Sequence, residues 1–176
     1  MPCDGPVHIH RAEPGDAAGI ADVHVRSLRK AHEGFIPSES LALAQVKGRE
    51  DSWSAELRME SGGRKPWVAL MDDQVVGFAT AGLSRDDDAE PEVGEVYHVY
   101  AAPERWGRGI GRNLLAHAVR DLRRHGFTLA TFWVLDPNDG ARRWAERQGW
   151  GLDGASREED WAGVRVPLVR YSHQLR

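Results

Sequence analysis

Residues 106–111 read Trp106-Gly107-Arg108-Gly109-Ile110-Gly111. Glycine at alternate positions lets a backbone approach a ligand and turn successive N–H groups toward it. Helix-forming residues follow, and a helix start adds unpaired N–H groups and a partial positive charge. The chemistry on offer is the binding of phosphate oxygens. Arg108 and Arg112 either add charge-assisted bonds to phosphate or stand in solvent. A plain glycine turn entering a helix would read the same way. Two more specific phosphate motifs do not fit. A dinucleotide fingerprint opens its domain and needs an acidic residue at the end of the next strand, but this run lies past the middle of the chain. A P-loop needs Lys and then Ser or Thr after its last glycine, where Arg112-Asn113 stand.

Other reactive residue types form no such pattern. His8 and His10 alternate on a strand, and His24 and His32 are eight apart. They are expected as core or surface residues, with no metal site. Cys3 is the only cysteine, so neither a disulfide within the chain nor a cysteine-based zinc site is available. The acidic run Asp86-Asp87-Asp88 is expected as a solvated loop, able to draw in a cation if it overhangs a cleft.

Hydrophobic periodicity supplies the elements that must position the glycine run. Val7 to Arg11 reads as a strand. Ala17 to Lys30 reads as a helix behind a possible Asp16 cap, broken by Gly34 and Pro37. Ser38 to Leu57 is helical in part, and Ser61-Gly62-Gly63 is a loop. Strands are expected at Trp67 to Met71 and Val75 to Gly82, joined tightly through Asp72-Asp73-Gln74. A third runs from Glu95 to Ala101. Pro103 ends it, because proline has no N–H for a ladder. Gly109 to His125 is the strongest helix, with Leu114, Leu115, Ala118, Val119 and Leu122 in one stripe and Gly126 as its cap. Thr128 to Leu135 reads as a strand buried on both faces. A helix follows to Gln148, then strands at Trp150 to Leu152 and Val164 to Ser172 with a polar loop between them. Hairpins followed by strand-helix-strand crossovers predict a single α/β domain over 1–176 with a mixed sheet.

Composition narrows the functional classes. A net charge of −4 over 176 residues lacks the basic field of a nucleic-acid binder. No stretch approaches the ~18 apolar residues of a membrane span, and the N-terminus lacks a basic segment followed by an apolar run. A cytoplasmic protein is the expectation.

The stretch from Glu95 through Ala101-Ala102-Pro103-Glu104-Arg105-Trp106 to Gly111-Arg112-Asn113-Leu114-Leu115 resembles the acetyl-CoA-binding core of the GNAT acetyltransferase superfamily. That family's loop is Gln/Arg-x-x-Gly-x-Gly/Ala, and Trp106 takes the first position. If this side chain supports the loop, the tryptophan must do so by packing. Trp133-Val134-Leu135-Asp136-Pro137-Asn138 is similar to the family's fifth strand and its asparagine. Ala141 to Trp150 is similar to its late helix, and Ile9 to Asp16 loosely to its opening strand and turn. The likeness therefore covers almost the whole chain.

The resemblance implies a mostly antiparallel sheet with splayed central strands and acetyl-CoA as acyl donor. The pantetheine arm would lie along Val99, Tyr100 and Ala101, and the pyrophosphate on Trp106 to Gly111 with Arg108 and Arg112. Asn138 would hold the arm, or cap a helix, or both. Trp144 would lie against the arm or fill the core. A backbone N–H near Val99 would receive charge from the thioester oxygen. Glu95 begins the strand eleven positions before Trp106, the spacing of the general base in the histone-acetylating branch. It must take a proton from an amine that is mostly protonated at neutral pH; a strand-end carboxylate facing solvent is the plainer reading. Strand alternation groups Glu95, Tyr97, Val99 and Ala101 on one face and Val96, His98 and Tyr100 on the other, unless a bulge intervenes. Many relatives use a late-helix tyrosine as acid. The matching position is Ala145, so no acid is assigned, with Tyr97 and Tyr100 as weak substitutes.

The implied activity is transfer of acetyl to a primary amine of a small molecule or peptide. The acceptor would sit among His32, Phe35, Trp53 and the hairpin near Asp86. A non-catalytic acyl-CoA sensor on the same fold and a nucleotide-binding module are the rival readings, and a homodimer stays open.

Overall fold

A computed structural model describes residues 5–42, 46–59, 65–161 and 163–175. Cys3 and the Ser61-Gly62-Gly63 loop lie outside these residues. The elements run β1 His8–Arg11, α1 Ala17–His32, α2 Ser38–Ala42, α3 Val46–Arg58, β2 Trp67–Met71, β3 Gln74–Leu83 and β4 Val93–Ala101. They continue through α4 Ile110–Arg124, β5 Leu129–Leu135, α5 Asp139–Arg147, β6 Gly151–Trp161 and β7 Val164–Gln174. The seven strands form one sheet in the order β1-β2-β3-β4-β5-β7-β6. Every pairing is antiparallel except β4 with β5. No helix among the described residues is long and apolar enough to cross a membrane.

Helices cover both faces of the sheet. On one, α1 buries Ile20, Val23 and Leu28 at helical spacing, and α3 adds Trp53 and Leu57 against Phe78 of β3. On the other, Leu114, Leu115, Ala118 and Leu122 of α4 are buried beneath Val96, Ala79 and Ala130. Asp72 and Asp73 link β2 to β3 with φ of 51° and 59°, as a two-residue hairpin turn with positive φ at both positions requires.

The central junction creates the cleft. β4 and β5 are paired only from Val93 to Glu95 and from Leu129 to Thr131. Beyond them β5 continues to pair with β7 and β4 with β3. A gap therefore opens between the two central strands from Val96 onward, as the splayed architecture requires.

Three expectations need correction. The polar stretch after Leu152 is not a loop: β6 runs on to Trp161. Its inward positions, Ala155, Arg157, Glu159 and Trp161, alternate with exposed ones, but two of them are charged, so no apolar period announces the strand. Asp86 is not solvated, since its side chain is only 5% exposed. Finally, the register of β3 against β4 shifts between Thr80 and Ala81, which pair with His98 and Val96. Tyr97 is the extra residue of a bulge. Val96, Val99 and Ala101 accordingly face α4, while His98 and Tyr100 turn toward α1. Alternation from Val96 puts Glu95 on the α1 face as well.

Candidate active site

The glycine loop enters α4 through two left-handed residues, Gly107 at φ 79° and Gly109 at φ 80°. Side chains rarely adopt this conformation, because Cβ crowds the following carbonyl. Gly109 is the N-cap of α4, no side chain caps it, and no acidic residue stands in the first turn. The helix start thus presents amides that no described side chain caps. Arg108 and Arg112 are both exposed beside them, and Ile110 is buried, anchoring the turn.

Trp106 supports the loop by a hydrogen bond rather than by packing. Its ring is 48% exposed, and its Nε1 donates to the Ala101 carbonyl at 2.8 Å. Ser27 Oγ of α1 donates to the same oxygen at 2.8 Å. The end of β4 is thereby pinned, and this carbonyl is taken. The Ala102 N–H bonds Val76 of the neighbouring strand region, so by alternation the backbone of Tyr100 faces β3. Val99 and the Ala101 N–H are left facing the gap.

Across the gap, Trp144 of α5 lies near Phe132, with ring centroids 6.4 Å apart. A Cβ placed on Gly111 would sit 3.5 Å from Trp144 and 3.9 Å from Val99. α4, β4 and α5 therefore converge around Gly111, at a spacing that an added methyl would fill in ordinary contact. Ala145 is fully buried among Val96, Leu115 and Trp150, so a tyrosine there would overpack the core. Trp144 is the neighbour that reaches the gap, and it carries no hydroxyl. Asn138 caps α5, its Oδ1 accepting from the Ala141 N–H at 3.0 Å. Its Nδ2 donates to the Ala31 carbonyl at 3.0 Å, tying α5 to the end of α1.

Glu95 is only 6% exposed. Its Oε2 accepts the Arg85 N–H at 2.9 Å. Burial raises its pKa above the ordinary carboxylate value, opposed by the Arg85 bond and assisted by the charge of Asp86. Neither tyrosine of β4 is free to act as acid. The Tyr97 hydroxyl donates to Leu83 O. Tyr100 is stacked on His24, with centroids 5.2 Å apart, and burial pushes its phenol up to about 12.

Several meetings of side chains at this site carried no sequence signal. Trp133 Nε1 donates to Asp86, which also accepts from Arg157 and Arg170. His24 and His98 pack 5.1 Å apart behind β4. For Arg157 the one cue, visible afterwards, is the alternation of inward and exposed residues along β6. Of the expected acceptor residues, His32 packs edge-on against Trp161 at 4.9 Å. Phe35 is 43% exposed and lines an open groove of about 480 Å³ with Ile36, Pro37 and Leu41. Trp53 is instead a core residue against Phe78 and His24.

Residues 28–150 match the model of the acetyltransferase (GNAT) family. The uncharacterized N-acetyltransferase YuaI of Bacillus subtilis is 34% identical over 134 residues, spanning 75% of this chain and 73% of YuaI. The paia N-acetyltransferase of Thermoplasma acidophilum, solved with coenzyme A, superposes with a TM-score of 0.73 at 16% identity, over 96% of this chain and 99% of that one. YncA of Salmonella typhimurium, solved with acetyl-CoA, gives 0.70 at 20% identity over 98% and 95%.

Proposed function

This chain belongs to the GNAT acetyltransferase family and is an acyltransferase; from that premise we propose that it moves an acetyl group from acetyl-CoA to a primary amine by direct attack. The observation that carries the proposal is a buried carboxylate, Glu95, at the closed end of a gap whose other end is an uncapped, glycine-preceded helix start. The residues present suit acetyl-CoA. Backbone N–H groups of 107–111 take the pyrophosphate, with Arg108 and Arg112 at its edge and Trp106 bracing the loop. Val99 and Ala101 offer the pantetheine edge, and Trp144 flanks the arm. Asn138 acts by fixing α5 as a wall, since its side chain already serves the protein.

In the chemical step the amine nitrogen bonds to the thioester carbon while the carbon–sulfur bond breaks. Glu95 removes the amine proton, and its raised pKa suits a base working near neutrality. The Val99 N–H supports the oxygen as charge develops on it. The leaving thiolate needs no protein acid, consistent with the engaged tyrosines. The groove at Phe35 and the exposed edge of the Trp133–Trp161 wall suit an amine with an apolar portion, from a small molecule or a peptide.

Thermal shift with acetyl-CoA, CoA and ATP tests the donor. Stabilisation by both CoA species is expected, and a shift with ATP alone overturns the reading. Thiol release across an amine panel then tests turnover. Binding of acetyl-CoA with no thiol release for any amine would overturn the direct-attack reading.

A further inference from the structure

The segment that joins β3 to β4 carries a buried anion with no part in the chemistry above. Asp86 accepts from Trp133 Nε1 of β5 at 2.9 Å, from Arg157 Nη1 of β6 at 3.0 Å and from Arg170 Nη1 of β7 at 3.0 Å. Its own N–H reaches Ser84 Oγ at 3.3 Å. Three strands of one half of the sheet are thereby fastened to a loop of the other half, across the junction where β4 and β5 part. The Arg157 guanidinium lies 4.1 Å above the Trp133 ring and also bonds Glu159, whose Oε2 accepts from Trp161 Nε1 at 3.1 Å. The residue before Asp86 is Arg85, whose N–H holds the Glu95 carboxylate. Asp86 thus sits one peptide from the N–H that holds the base and in direct contact with the wall opposite it.

We infer that Asp86 is a positioning residue for acyl transfer, holding Glu95 on one side and the Trp133–Arg157 wall on the other at their working separation. The inference rests on the acyl-transfer reading. A fastening role alone would not require a carboxylate here, because buried ion pairs are often replaceable by apolar packing at no loss of stability. The placement next to Glu95 gives the charge a second effect. The charged groups whose fields reach Glu95 are Asp86 and Arg85 from the β3–β4 connection and Arg157 from β6; β5 contributes the uncharged Thr131 beside it. Asp86 favours the protonated carboxyl and Arg157 the ionised one.

The test uses the full chain, acetyl-CoA and an acceptor found by the amine panel. Asp86→Asn is expected to lower kcat by about 10- to 100-fold, the scale of a small misplacement of reacting groups, while the affinity for acetyl-CoA stays unchanged. The acid limb of its rate profile moves to lower pH. Arg157→Gln moves the same limb to higher pH. Asp88→Asn, which removes an exposed partner of Arg170, leaves kcat and the limb in place. Opposite shifts in the first two variants are a signature that loss of fold stability does not produce. An unmoved limb in both, or equal kcat losses in Asp86→Asn and Asp88→Asn, overturns the inference alone. If Asp86→Asn does not fold, Arg157→Gln decides it by the same limb. A wild-type chain that acetylates no amine overturns the acyl-transfer reading and this inference with it.

Discussion

At the residue scale the proposed reaction turns on one carboxylate. Glu95 is buried, and burial raises its pKa against the opposing bond from the Arg85 N–H. As pH falls through that raised value the base is protonated and the rate drops. Glu95→Gln should lower kcat by about 100- to 10,000-fold, the usual contribution of a positioned base, and flatten the acid limb. Steady-state kinetics from acid to alkaline pH check this, with the acetyl-CoA affinity expected to hold. Trp106 is the other residue to test. Trp106→Phe keeps a ring but deletes the donor to Ala101 O. A hydrogen bond of this kind is worth about 1 kcal/mol, so the acetyl-CoA dissociation constant should rise about fivefold in isothermal titration. Both positions were legible in the sequence, though by different routes. Glu95 was found by its match to the family's base position, and Trp106 as a departure from the family's loop pattern, with the hydrogen bond hidden until Ala101 O was in place.

At the scale of elements the function depends on how α4 begins. Gly109 has no steric neighbour nearer than Arg112 Nη2 at 3.8 Å from an added Cβ. Its requirement is conformational, set by φ 80°. Gly109→Ala should therefore cost about 1–2 kcal/mol of loop stability and weaken acetyl-CoA binding without disturbing the core. A thermal melt with and without ligand separates the two effects. Helices α1 and α4 and strands β2 to β4 were readable from their apolar residues, β5 from a near-continuous apolar run, and α5 from the turn before it and Gly149 after it. β6 was not, because its inward residues are an arginine and a glutamate matched to partners from other strands. The Tyr97 bulge was equally silent, since β-branched and aromatic residues on both sides of it satisfy either register.

At the scale of the whole molecule, α1 spans both jaws of the cleft. Ser27 holds the end of β4, Arg26 pairs with Glu104 in the turn before the loop, and Ala31 receives Asn138 from the far side. Behind β4, the same helix buries His24 against His98, Tyr100, Phe78 and Trp53. Burial lowers the pKa of His24 to about 3 and that of His98 to about 4. Both are neutral in the folded chain, whereas the unfolded chain binds protons at these sites near pH 6.5. Their contribution to stability is intact above about pH 6.5 and is lost as the pH falls toward 4 and 3. Urea unfolding midpoints should accordingly fall between pH 7.5 and pH 4.5. His24→Phe should flatten part of that decline.

What the sequence determined by itself is local and repetitive. Periodic apolar faces define most elements, and alternate glycines before a helix define the loop that enters α4, because both depend on residues near one another in the chain. Glu95 was singled out through the family resemblance, whose pattern lies along one strand and its loop. What only the tertiary structure decided are the meetings of distant segments. Asp86 with Trp133, Arg157 and Arg170, Asn138 with Ala31, and His24 with His98 each join residues whose types alone predict solvent, capping or core packing. The energy of a buried charge or ring depends on what surrounds it, and those surroundings arise only when the two halves of the sheet close around the gap.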